Sequence, residues 1–231
     1  MPFVSYCIIK LSIRTGDPVP NYQIEMTIDL QYLPSLEYFC AILNNDKIII
    51  EAHEYFEKQS YRNRCRIQTT NKIDTLTIPV QNGNKKVLIR DLRIDYSQDW
   101  TRRHWGAINS GYGKSPFFEF YSEYFKKMLD KKPDFLFDLN LELMTICLKL
   151  LRLEKKIIFT EYYQKNIEND YRGLIHPKRI NELNNLYQPV KYRQNFGNEF
   201  VPNLSILDLL FCQGNQSLTV LKESFKIEQI N

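Results

Sequence analysis

The chain reads as a mixed α/β protein (α/β or α+β), a single compact domain whose N-terminal half is strand-rich and whose middle and C-terminal parts are helical. Three observations predict this. Isoleucine-rich or alternating runs crowd residues 27 to 94, while apolar spacings of three and four dominate residues 100 to 153. A length of 231 residues suits one domain with a proper core.

Taken in order, residues 1 to 25 stand apart. Their apolar stretch runs into Gly16-Asp17-Pro18-Val19-Pro20, a turn-rich linker, so they are expected to be an extension or an extra strand ahead of a domain covering 26 to 231. Residues 27 to 30 read as a short strand that Pro34 stops. Residues 36 to 43 read as a helix, with Leu36, Phe39, Cys40 and Leu43 on one face. The isoleucines of 47 to 51 mark a buried strand. Alternation predicts strands over 61 to 68, 76 to 80 and 87 to 94, with Asn82-Gly83-Asn84 turning between the last two. Helices follow. Trp100, His104, Ile108 and Tyr112 form a ridge at spacing four, residues 117 to 129 are amphipathic, and 139 to 153 make the clearest core helix. A strand is expected over 157 to 160, a polar loop or exposed helix over 167 to 185, and a short apolar helix over 207 to 212.

Composition narrows the function classes. The net charge of +4 is spread among 27 acidic residues, so a dedicated nucleic-acid binder ranks last. The five Cys are scattered without a C-x-x-C pair, which fits buried thiols in a reducing compartment. No apolar run approaches the roughly 18 residues that span a bilayer, and the first residues lack a secretory pattern. A cytoplasmic location is expected.

Charge is densest between Glu51 and Arg66, where three Glu, one His, one Lys and three Arg leave an apolar run. Lys58, Arg62 and Arg64, with Asn63, are the candidate anion-binding group, since a guanidinium fork fits phosphate or carboxylate and an extended chain puts Arg62, Arg64 and Arg66 on one face. The plainer account is a solvated edge strand. His104 is the candidate proton carrier, with Glu51 or Glu54 as a second group; Arg102 and Arg103 beside it would lower its pKa. A metal held by Glu51, His53 and Glu54 is disfavoured because alternation points Glu54 away from the other two, and His176 reads as a surface residue. Ser205 reads first as the N-cap of the last helix, with Asp208 in its first turn. Tyr32, Tyr112, Tyr192 and Gln194 could line a sugar or nucleotide pocket, although rings are abundant throughout this chain. No P-loop and no G-x-S-x-G elbow is present, and Cys65 is a weak nucleophile candidate. No cofactor is identified.

Four blocks resemble the WbqC-like protein family: Gln31-Tyr32-Leu33-Pro34-Ser35-Leu36-Glu37-Tyr38-Phe39; residues 56 to 67 with Lys58 and Asn63-Arg64, followed by residues 76 to 80; Trp100, His104, Tyr112, Pro116, Phe117 and Phe118; and Tyr192, Gln194, Phe196 and Phe200 closing on residues 202 to 211. Two features depart from the pattern. Ala52 and His53 replace an acidic pair, and Gln31 lacks the proline that usually follows. The resemblance implies a bacterial protein of surface-polysaccharide (O-antigen type) biosynthesis. The expected function is a transferase or ligase acting on an activated or amino sugar, with a nucleotide-sugar or sugar phosphate as its anionic partner. The alternatives are a non-catalytic interaction protein and a nucleic-acid binder. One requirement underlies the enzyme reading: Arg64, His104 and Gln194 should meet at a common hollow.

Overall fold

The computed structural model describes residues 25–70, 72–179, 186–197 and 199–226. The extension expected over 1 to 25 lies, Glu25 apart, outside the described residues. The fold is mixed α/β, with separate parallel and antiparallel sheets.

Strand β1 (Met26–Ile28), helix α1 (Leu36–Ile42) and strand β2 (Lys47–Ile50) form a parallel unit in which Met26 registers with Ile48 and Ile28 with Ile50. A third parallel strand, β5 (Lys156–Phe159), pairs with the other side of β2, so β2 is central and Ile50 lies opposite Phe159. Ile28, Ile48 and Ile50 have no exposed surface. Helix α1 was expected to bury one face; every one of its residues is buried. The reason is a second layer: helices α5 (Ile206–Gln213) and α6 (Ser217–Ser224) pack against it. Helix α6 lies beyond the elements expected from the sequence, since its polar sequence buries only Ser217, Val220, Leu221 and Ser224.

The long crossover from β2 to β5 holds the rest of the molecule. Strands β3 (Arg64–Gln68) and β4 (Ile73–Thr77) form an antiparallel ribbon, from Arg64 opposite Thr77 to Gln68 opposite Ile73. The second strand therefore begins and ends earlier than expected over 76 to 80, because a tight turn returns the chain at once, with Thr69 N–H donating to Lys72 O at 2.9 Å. Pro79 has no N–H with which to extend the ladder. Residues 87 to 94 are not a strand; a 3-10 turn at Ile89–Asp91 interrupts them, and they pair through the isolated bridges Tyr55–Leu88, Val80–Ile94 and Arg93–Phe135.

Helix α2 (Trp100–Tyr112) matches its predicted limits and buries the Trp100, His104, Ile108 and Tyr112 ridge, and Asp99 caps it by accepting from Arg102 N–H. Gly111 lets this helix touch the ribbon, since a Cβ there would lie 2.8 Å from the carbonyl oxygen of Gln68. Helix α3 (Phe118–Lys131) ends at Lys132, whose φ is +49°. Helix α4 (Leu136–Leu150) starts and ends before the expected 139 to 153, because Leu136 N–H is held by Leu92 O and the Arg93–Phe135 bridge sets its entry. Phe211 anchors the helical core, with ring centroids 5.4 Å from Tyr112, 5.1 Å from Phe118 and 5.8 Å from Phe125. Among the described residues no helix is long and apolar enough to cross a membrane.

Candidate functional site

All the strands of the parallel sheet end in a polar residue at the same edge: Ile28 leads to Asp29, Ile50 to Glu51 and Phe159 to Thr160. The carboxyl ends of parallel strands are where open α/β sheets place ligands, because the chain must leave the sheet there and its loops diverge. Asp29 and Glu51 have no exposed surface. Glu51 Oε1 accepts from Thr160 Oγ1 at 2.7 Å and from His53 N–H at 2.8 Å, and Oε2 accepts from Arg172 Nη1 at 2.7 Å. Arg172 reaches the edge because residues 169 to 171 dock beside β1: Thr27 N–H donates to Asn169 O, and Tyr171 N–H donates to Thr27 O. It also grips Asp170 through Nε and Nη2, at 2.8 and 2.6 Å, and lies 4.7 Å over the Tyr163 ring.

Arg62 is the other centre. It precedes β3 instead of alternating along it, and its fork is closed on Glu54, with Nε and Nη2 each 2.7 Å from a carboxylate oxygen. Glu57 Oε2 lies 3.4 Å and Asp29 Oδ2 3.7 Å from Nη1. Burial works against the charge on this guanidinium, but Asp29, Glu54 and Glu57 hold it protonated. Burial pushes the Glu54 carboxyl up to about 7, with Asp29 and Glu51 adding to the rise and Arg62 opposing it. Carboxylates outnumber the guanidiniums they pair with: Asp29, Glu51, Glu54, Glu57 and Asp170 against Arg62 and Arg172.

Two buried polar atoms beside this cluster have no hydrogen-bond partner among the described residues, Gln31 Oε1 and His176 Nε2. Gln31 Nε2 donates to Asp29 and to Ile175 O, while His176 Nδ1 accepts from Lys178 N–H, which places the His176 proton on Nε2, 3.7 Å from Glu57. An unpaired acceptor and an unpaired donor on one polar cluster suit a bound hydroxyl, amine or water. His176 is buried, not the surface residue expected. His53 spans the rim, with Nδ1 3.4 Å from Thr160 Oγ1 and Nε2 accepting from Arg90 Nη1 at 2.9 Å. Glu51 and Glu54 belong to different guanidiniums, and among the described residues no group of His, Cys, Asp and Glu is arranged to hold a metal ion.

The other candidates lie elsewhere. His104 is interior: its Nδ1 accepts from Tyr32 OH at 2.9 Å and its Nε2–H donates to Thr77 O at 3.2 Å. Burial pulls its pKa down to about 4, and Arg103 adds to the fall expected of the neighbouring arginines, as the smaller cause. The neutral imidazole ties α2 to β4 and to Tyr32. Arg64 is half-buried on β3 opposite Thr77, Asn63 Nδ2 donates to Ile78 O at 2.8 Å, and exposed Lys58 donates to Asn84 Oδ1 at 2.7 Å. Lys58, Arg62 and Arg64 thus occupy different environments. Burial pushes the Cys65 thiol up, so it has no thiolate character at neutral pH.

A second polar knot surrounds Asp208. Its Oδ2 accepts from Tyr192 OH at 2.6 Å and Gln194 Nε2 at 2.9 Å, and burial raises its pKa. Gln194 also clasps Val201 through both N–H and C=O, and Tyr112 OH accepts from Gln68 N–H. Ser205 caps α5 and donates to Leu33 O, while Asn203 and Glu37 exchange hydrogen bonds, which sews the segment after Gln31 to the one before α5. The expected single hollow is therefore split. Arg64 registers with Thr77, to whose carbonyl His104 donates, Gln194 belongs to the Asp208 knot, and Glu51, Glu54 and Arg62 share the sheet edge with residues that sequence reasoning missed. Asp29 and Thr160 carried a legible signal as polar residues ending apolar strands. Asp170 and Arg172 carried none, since they sit in a polar loop like many others.

A family model described as the WbqC-like protein family matches residues 31–182 and 178–220. Uncharacterized protein Rv1507c of Mycobacterium tuberculosis is 34% identical over 92 residues, a match covering 39% of this chain and 39% of that relative, well under two thirds of its length. No solved structure matches the chain. The family match takes in Glu51, Glu54, Arg62 and Arg172 of the sheet edge and the Asp208 knot, and this chain belongs to the WbqC-like protein family.

Proposed function

We propose that this chain is a cytoplasmic enzyme of bacterial surface-polysaccharide biosynthesis, a transferase or ligase working on an activated amino sugar, with its reaction centre at the carboxyl edge of the parallel sheet. The family name supports the pathway. The observation that carries the chemistry is Glu54, a buried carboxyl held by Arg62 whose pKa stands at about 7. A group poised near the working pH can take a proton from an attacking hydroxyl or amine and return it later. Glu54 takes the role expected of His104, whose ring nitrogens are both engaged. Arg62 tunes Glu54, and the surplus of carboxylates favours a substrate bearing an ammonium group. Gln31 and His176 supply an acceptor and a donor for its polar groups. Exposed Arg90, which reaches the rim through His53, would meet the anionic part.

Calorimetry with UDP-glucosamine and UDP-glucose tests this. Tighter binding of the amine-bearing sugar is expected, and Glu54→Gln should lose that preference. No binding of either sugar, or the same preference in wild type and Glu54→Gln, removes the reading. One observation favours a partner-binding role as well: Phe120 and Tyr124, four residues apart on α3, are exposed large apolar side chains. A stable co-purifying partner lost on Phe120→Ser with Tyr124→Ser would support that role.

A further inference from the structure

A cavity of about 330 Å³ opens between the β3–β4 turn and the segment before α5, lined by Gln68, Thr69, Ile73, Phe196 and Val201 among others. It shares Phe196, Gly197 and Glu199 with a groove of about 820 Å³ that Lys191, Arg193 and Asn195 also line. Strand β3 from Arg64 to Gln68, about 13 Å long, begins just after Arg62 of the Glu54 centre and runs to this place.

Gln68 forms part of the cavity lining and is 7% exposed. Its Nε2 donates to Phe196 O at 3.1 Å, which fixes the amide, and its Oε1 has no hydrogen-bond partner. A buried amide acceptor left unpaired calls for a donor, and a bound N–H supplies one. Phe196 offers a flat ring and Ile73 an exposed apolar side chain, the two surfaces a planar heterocycle needs. Lys191 and Arg193 are exposed in the groove and make no ion pair among the described residues.

We propose that the cavity and groove together bind a nucleoside diphosphate. The base lies between Phe196 and Ile73 and donates an N–H to Gln68 Oε1, and Lys191 and Arg193 meet the diphosphate. Glu199, which lines both spaces, accepts from ribose hydroxyls. The site goes beyond the Glu54 reading and stands without it.

Calorimetry of the full chain at low salt with UDP, CDP, ADP and GDP, and with uridine and pyrophosphate as separate arms, tests it. At least one diphosphate is expected to bind in the micromolar range, tighter than either fragment. Lys191→Ser with Arg193→Ser, both at exposed positions that spare the fold, should weaken it tenfold or more. Gln68→Leu, with its thermal midpoint checked, should weaken the diphosphate at least fivefold and leave the pyrophosphate arm unchanged. Glu54→Gln should bind as wild type, so loss of the catalytic reading and loss of this one are told apart. The proposal is overturned if all four diphosphates fail at millimolar concentration, if pyrophosphate alone binds as tightly as the diphosphates, or if the double variant binds like wild type.

Discussion

Replacing Glu54 with Gln removes one titrating group from the sheet edge while keeping an oxygen for the Arg62 fork. In the folded protein the Glu54 carboxyl stands at about 7, above an unfolded value near 4.3. The native state therefore binds the proton that the unfolded chain has released, and stability falls as pH rises between those values. Integrating over pH 5 to pH 8 gives a loss of about 2 to 3 kcal/mol from this one group. Glu37 and Asp208 are raised by burial too and add loss of the same sign to the wild-type curve, so the difference between wild type and Glu54→Gln isolates Glu54. Guanidinium chloride unfolding at half-unit pH steps measures it. The wild type should lose about 2 to 3 kcal/mol more than the variant between pH 5 and pH 8, most of it below pH 7. Parallel curves would refute the raised pKa, and with it the argument that one guanidinium among Asp29, Glu54 and Glu57 leaves negative charge uncompensated.

Further outcomes follow from the same geometry. Arg172→Met strands Glu51 and Asp170 without their cation and should cost about 3 kcal/mol in denaturant unfolding; a loss under about 1 kcal/mol would show that Thr160 and the His53 N–H suffice for Glu51. Gly111→Ala drives a methyl against the Gln68 carbonyl and should destabilise by about 1 to 3 kcal/mol, whereas an unchanged thermal midpoint would mean that α2 and the ribbon separate freely. The His104 ring should show no titration in nitrogen NMR between pH 5 and pH 8, since burial takes its pKa to about 4. Tyr32→Phe leaves its Nδ1 unpaired and should cost about 1 kcal/mol; a stable variant would mean that another donor takes its place.

Elements whose burial is simple were legible in the sequence. The isoleucines of β1, β2 and β5 need no context to read as strands, and the Trp100-His104-Ile108-Tyr112 ridge marks α2 to the residue. The β3 alternation was legible as well, with Cys65 and Ile67 inward and Arg64 and Arg66 outward. What the pattern could not carry was tertiary pairing. Arg62 has the right spacing to join Arg64 and Arg66, yet it leaves the strand for Glu54, and nothing local distinguishes a guanidinium that will meet a carboxylate from one that faces water. Residues 73 to 77 lost their strand signal to exposure, since Ile73, Asp74 and Thr75 on this ribbon are not buried. The charge density between Glu51 and Arg66 drew attention to the sheet edge, but Asp29 and Arg172 arrive there from both sides of the sequence by way of β1 and the segment that docks on it.

The most direct measurement is a carbon NMR titration of the glutamate side-chain carboxyls, with Glu54 assigned by its disappearance in Glu54→Gln. The account predicts one carboxyl resonance titrating near pH 7 in wild type, absent from the variant and shifted by an amine-bearing sugar. A spectrum in which every glutamate, Glu54 included, titrates below about pH 5 as in unperturbed peptides would contradict it.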